Sequence, residues 1–248
     1  MRKLALIAFL TTGMTTSSMI SSLGADKNDF GGFYIGANFG GGFGSTNTTL
    51  STFDTFAGVV LISKREQDLA VKGVRGGIHL GYDYMVTDML LLGVEAFGDF
   101  SSHTGSLNHD FPVGDNFTLK LRRREAFGAA FRFGLKLTES TAPYLKIGVE
   151  SAKWDMQFST PDNGVGAYDI VSNISSKKRH TGLVLGLGLE TKVAKNWRLG
   201  LEWNFTKYNK PNDLTLSGQN NGANQPVATS KARDLITNDF RVRISYKF

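Results

Sequence analysis

The sequence predicts an all-β protein, an eight-stranded antiparallel up-and-down transmembrane β-barrel, and three observations carry that prediction. Apolar side chains recur at every second position through eight long segments, which is the period of a strand with one greasy face. The connections between those segments alternate strictly between short and long. Aromatic residues gather at segment ends, and the chain closes on Phe248.

The clearest pair of segments is 181–208. Leu183, Leu185, Leu187 and Leu189 lie on one side, opposite Gly182, Gly186, Gly188 and Glu190; after a tight turn, Trp197, Leu199, Leu201, Trp203 and Phe205 alternate with Arg198, Gly200, Glu202, Asn204 and Thr206. A first strand at about 31–40 sets Phe33, Ile35, Ala37 and Phe39 against Tyr34, Gly36, Asn38 and Gly40. The second, about 70–84, carries Val74, Ile78, Leu80 and Tyr82; the third, about 89–101, carries Leu90, Leu92, Val94 and Ala96. Phe127, Ala129, Phe131, Phe133, Leu135 and Leu137 mark the fourth, about 117–137, and Leu145, Ile147 and Val149 the fifth, about 144–158. The last runs through Phe240, Val242, Ile244, Tyr246 and Phe248. Between them, residues 41–69, 102–116, 159–176 and 209–233 lose the alternation and are rich in Gly, Ser, Thr and Asn, so four long loops are expected there.

Composition agrees with many extended segments: 29 glycines, 18 phenylalanines and only 5 prolines in 248 residues. Mean hydropathy is -0.16, and no apolar run approaches the ~18 residues of a membrane helix, which excludes a helical membrane protein. Alternating strands cross a bilayer without raising the average, since only every second residue meets lipid. Arg2 and Lys3, the apolar run Leu4 to Leu10 and the small residues up to Ala25 read as a secretory leader over 1–25, leaving 26–248 as the barrel. Its removal would take the formal charge from +6 to +4, a balance that does not point to nucleic acid. The absence of cysteine excludes a disulfide framework and an acylated cysteine anchor.

Alternation alone also fits a soluble eight-stranded barrel of the lipocalin kind. The leader, the terminal phenylalanine, the loop asymmetry and the aromatic rings favour the membrane. Tyr82, Tyr84, Trp197, Tyr246 and Phe248 would girdle the periplasmic rim, with Phe39, Phe100, Phe127 and Phe205 near the outer one.

FYIGANFG near residue 33, GIHLGYDYMVTDMLLLGVE from 77, PYLKIGVE from 143, GLGLETKVAKNWRLGLEW from 186 and the final RISYKF resemble the outer-membrane β-barrel family. That family includes the OmpA-type transmembrane domain, the Opa-like opacity proteins and the small "porin family" surface antigens. The resemblance covers 31–248 and implies a barrel in the cell outer membrane of a Gram-negative bacterium. A peptidoglycan-binding domain of the OmpA type is not expected after Phe248.

An eight-stranded lumen is narrow enough for side chains to fill. Inward positions bring acids at Asp83, Glu95, Asp99, Glu150, Glu190, Glu202 and Asp239 near bases at Arg75, Arg132, Lys136, Lys146, Arg198, Arg241, Arg243 and Lys247. Buried charges must pair, so a lumen network is expected over Glu95, Arg132, Glu150, Glu190, Arg198, Glu202, Arg241 and Arg243. Glu190 with Arg198, and Glu202 with Arg241 or Arg243, are its predicted pairs. On the lipid-facing register, Lys72, Arg123, Lys153, Lys177, Arg179 and Lys207 fall at the loop ends of their strands. They are expected either to meet lipopolysaccharide phosphates or to form a solvated collar.

Catalysis finds no support in the motifs. A lipid A deacylase would need His-x-Ser, but the residues two after His79, His103, His109 and His180 are Gly81, Gly105, Phe111 and Gly182. The four histidines have no metal-ligand spacing, so no metal or cofactor is expected. The expected role is a monomeric surface antigen or adhesin-like barrel whose loops meet a host or extracellular ligand; the alternative is a narrow porin-like channel for ions or small solutes.

Overall fold

The computed structural model describes residues 30–56, 59–110, 116–159, 169–170, 173–209, 214–220 and 223–248; the expected leader lies outside them. Eleven strands cover most of this range: β1 (Gly32–Phe56), β2 (Val59–Met85), β3 (Leu90–Ser101), β4 (Thr104–Asp110), β5 (Asn116–Leu135), β6 (Thr141–Ser159), β7 (Asp169–Ile170), β8 (Asn173–Ala194), β9 (Trp197–Tyr208), β10 (Leu214–Asn220) and β11 (Ala223–Lys247). Eight of them, β1, β2, β3, β5, β6, β8, β9 and β11, follow one another as antiparallel neighbours, and β1 pairs with β11 to close the ring. The fold class read from alternation is the one observed.

At one end lie both described termini and the short turns. Thr138 Oγ1 accepts from the backbone N–H of Ser140 and Thr141, and Thr87 Oγ1 from that of Leu90, so each hydroxyl ties its own turn. Along β3 and β9 burial alternates residue by residue. The outward series is almost wholly apolar: Ile78 is 63% exposed, Phe131 62% and Leu201 62%. A continuous greasy belt of this extent is tolerable only against lipid. Among the described residues no helix is long and apolar enough to cross a membrane.

At the other end the expected loops are corrected. Residues 41–69 are not a loop: β1 and β2 stay in register to Phe56 opposite Val59. Within 102–116, Thr104–Asp110 form β4, which continues β3 after a break at Ser102 and His103 and pairs with β5. Within 159–176 lie β7 and the start of β8, and within 209–233 lie β10 and the start of β11. The physical reason is that beyond the bilayer neither sheet face meets lipid, so the apolar period vanishes. The Thr and β-branched content of these segments still favours extended backbone.

Two irregularities matter for the site. Between Arg123 and Ala126 the β5–β6 register slips, placing Arg124 and Glu125 together opposite Lys153. This β-bulge inverts the inward phase of β5. Below it the buried residues are Ala126, Ala130 and Arg132; above it they are Leu119, Leu121 and Arg123. A second slip, in the pairing of β1 with β11, falls at Asp234, which adopts a left-handed φ of 46°, a conformation Asp tolerates better than most residues.

Candidate functional site

The lumen is filled in layers. At the turn end Phe30, Met85, Leu91 and Ala142 pack into an apolar plug. Above it lies a continuous layer of charge, and above that a larger apolar cluster including Leu69, Val71, Leu119, Leu121, Trp154, Met156 and Leu235. The charged layer therefore lies between two clusters of hydrocarbon.

Its groups form one connected chain of ion pairs. Arg198 donates to Asp83 at 3.1 Å and to the Phe30 carbonyl at 2.9 Å. Arg132 Nη2 stands 3.0 Å from Glu190, and its Nη1 donates to the Tyr34 hydroxyl at 2.6 Å, which in turn donates to Glu95 at 2.9 Å. Arg243 bridges Glu95 and Glu202 with close hydrogen bonds to each. Lys146 reaches the same two carboxylates at 2.8 Å and 3.2 Å. Arg241 links Glu202 at 3.4 Å to Asp99 at 3.3 Å. Arg75 then joins Asp99, Glu150 and Asp239. Glu190 and Arg198, a predicted pair, lie 3.6 Å apart. All eight residues predicted for the lumen network are thus buried together.

Glycine supplies the room for this packing. A side chain at Gly188 would collide with the Tyr144 ring, and one at Gly81 with the Tyr34 hydroxyl. Tyr144 donates to Glu202 at 2.7 Å, and Arg132 stacks 4.1 Å above the Tyr144 ring.

Arg123 requires a correction. Predicted to face lipid, it is fully buried in the lumen, where it donates to Glu150 and, at 3.4 Å, to Asp239. The two-residue count from Phe127 fails because the bulge adds one residue to β5. Lys136 and Lys247, expected inside, are only half-buried at the rim. With Arg123 in and those two out, seven buried lumen acids face seven buried lumen bases among the described residues, Asp155 lying outside the wall. The tyrosine hydroxyls of Tyr34, Tyr144 and Tyr208 were also missed as members of the network, although their inward register was visible in the alternation.

The hydroxyl partner of His103 precedes it in the chain rather than following it. Its Nδ1 lies 2.6 Å from Ser101 Oγ and its Nε2 3.2 Å from Asp239 Oδ1. Asp239 already accepts from Arg75 and Arg123, and Ser101 Oγ also accepts the His103 backbone N–H at 3.2 Å. The trio locks the break between β3 and β4 to β11. Among the described residues no His, Asp and Glu cluster has the makings of a metal site.

The remaining collar cations do face outward. Lys153 and Arg179 meet Glu125 at 3.5 Å and 3.3 Å, and Arg179 also lies 4.7 Å above the Phe127 ring. Lys207 meets Asp234 at 3.5 Å; Lys72 and Lys177 are exposed. Glu125 stands above the Phe127 ring, outside the span. A hydrogen bond to its own backbone, and then Lys153 and Arg179, hold its carboxyl below the usual range.

The family model described as "Outer membrane protein beta-barrel domain" matches residues 10–248. The chain belongs to this family. In outer-membrane barrels short turns face the periplasm and the longer connections face outward. Among curated relatives of this outer-membrane barrel, the 31 kDa outer-membrane immunogenic protein of Brucella melitensis is 28% identical over 217 residues, covering 82% of this chain and 84% of the relative. Outer membrane protein P1 of Coxiella burnetii is 28% identical over 192 residues, covering 76% and 73%. Solved structures of similar outline include OprG of Pseudomonas aeruginosa, 13% identical with a TM-score of 0.44 over 88% of this chain and 96% of that one. Neisserial surface protein A is also 13% identical, with a TM-score of 0.42 over 87% and 97%. The chain is an outer-membrane β-barrel surface protein of a Gram-negative bacterium.

Proposed function

We propose that this barrel is a sealed, monomeric, non-catalytic surface protein that works through its exterior: structural and antigenic in the membrane, adhesin-like at its extracellular strands. The observation that carries the reading is the lumen, where a charge-balanced network lies between two apolar plugs. An ion entering it would have to break pairs whose separation is costly in a low-dielectric interior. The Ser101, His103 and Asp239 trio supports a structural role, because two guanidiniums already occupy the carboxylate that would have to stabilise a charged imidazole. What remains free for recognition is the polar extension formed by β1, β2, β4, β10 and the outer ends of β5, β6, β8 and β11, held on a rigid base. The relatives named as an immunogenic outer-membrane protein agree with exposure of this end.

The test is to replace residues 49–66 with a two-residue turn, shorten β10 and its β11 partner in the same way, and assay attachment of expressing cells to host-cell layers. The shortened barrel should migrate as a folded, heat-modifiable species and lose attachment. Retained attachment would contradict the reading. Solute-driven swelling of liposomes carrying the intact barrel would favour the channel instead.

A further inference from the structure

The β5 bulge also builds an exterior surface. Arg123 turns into the lumen, and Arg124 and Glu125 both turn out, opposite Lys153 on β6, which pairs with Arg179 on β8. One step farther out, Arg122, Asp155 and Lys177 form a second cross-strand row. Neighbours within such rows stand about 5 Å apart and the rows about 7 Å apart. Five cations therefore share one face with two carboxylates. Glu125 is held by Lys153 and Arg179, and Asp155 by Arg124. Among the described residues, Arg122 and Lys177 form no ion pair, although both are exposed.

The patch sits directly above hydrocarbon. Phe100 pairs with Glu125 across β3 and β5 and is 77% exposed, more than any other large apolar side chain among the described residues. Phe127, Phe131 and Val149 continue the apolar wall toward the membrane centre. Lys72 on β2 prolongs the second row through Thr104, which pairs with Arg122, and Lys120 lies two residues beyond Arg122 on β5. Elsewhere on the collar the charge is sparse, with Lys207 paired to Asp234. A soluble anion would gain from the cations but not from the wall beneath them. A ligand with phosphates above and acyl chains below gains from both.

We propose that the outer faces of β5, β6 and β8 form a specific site for one phosphorylated glycolipid of the outer leaflet. Arg122 and Lys177 take one phosphate, Arg124, Lys153 and Arg179 lie against a second, and the acyl chains lie along Phe100, Phe127 and Phe131. This rests on the outer-membrane orientation of the barrel, and it is independent of whether the lumen conducts.

The experiment compares the refolded full chain with two variants in detergent by native mass spectrometry. One is R122A/K177A, which strips the unpaired cations of the patch; the other is K195A/K207A, which removes equal exposed charge away from it. The probes are bisphosphorylated lipid A, its fully dephosphorylated form and inorganic pyrophosphate. Both variants must first show heat-modifiable migration; should the patch variant not fold, R122Q/K177Q replaces it. Lipid A retention should fall about tenfold in the patch variant, as loss of charge-assisted bonds to phosphate predicts, and change little in the control. Dephosphorylated lipid A and pyrophosphate should each bind weakly to the wild type. Equal losses in both variants would reduce the patch to diffuse collar charge, and equal binding of the dephosphorylated lipid would remove the phosphate contacts. Tight binding of pyrophosphate alone would assign the patch to a soluble anion. Any of these three results overturns the proposal.

Discussion

Arg123 and Arg124 are neighbours in sequence and occupy opposite electrostatic worlds. Arg123 is wholly buried, with Glu150 and Asp239 as partners, whereas the Arg124 side chain is 45% exposed and shares Asp155 with a face of surplus cations. Inside the wall every cation must be matched, because water cannot reach it; outside, mismatch is tolerated and leaves charge for a ligand. One extra residue in β5 decides which arginine receives which fate.

The sharpest way to break this comparison is to remove the same charge on each side. Arg75→Ala leaves Asp99, Glu150 and Asp239 short of a counter-charge and should cost about 3–5 kcal/mol, the range for breaking a buried pair. Arg124→Ala should cost less, because its side chain is half-exposed and its removal opens Asp155 to water. Urea titration of unfolding in lipid vesicles measures both. The lipid face offers a second contrast: Leu201→Arg, midway along β9, should destabilise by about 2–4 kcal/mol through burial of charge in hydrocarbon. Gly188→Val tests the fit of the lumen and should cost about 1–3 kcal/mol by overpacking against Tyr144.

The smallest expected effect belongs to Glu125. Its carboxyl pKa is depressed in the folded state, so whatever it contributes is complete above the unfolded carboxylate range and is lost as pH falls through the lowered value. Because the group is exposed, acid titration of unfolding should move only slightly on Glu125→Gln. The same substitution should modestly raise retention of phosphorylated lipid by freeing Lys153 and Arg179.

Much of this was legible before any coordinates. The eight-strand count, the antiparallel ring and all eight residues predicted for the lumen network follow from a period of two, which lipid on one side and side chains on the other impose together. The period ends where that asymmetry ends, and so the segment from 41 to 69 read as a loop although its strands pair as far as Phe56 and Val59. Arg123 was misplaced for a related reason. A bulge leaves composition untouched and shifts only the phase, and Arg122, Arg123 and Arg124 present the same residue type in either register. Buried Leu119 and Leu121 just before it, inverted against Phe127 and Phe131, were the available sign. The Ser101 and His103 contact escaped the His-x-Ser pattern because the serine stands two residues before the histidine, at the end of β3.

The central claim is that the lumen is closed, and single-channel recording from the refolded barrel in a planar bilayer tests it most directly. The account predicts a silent membrane, with folded barrel present by heat-modifiable migration. Steady, discrete openings would mean that a continuous water path runs past Arg75 and Arg243, and the sealed-barrel account would be wrong.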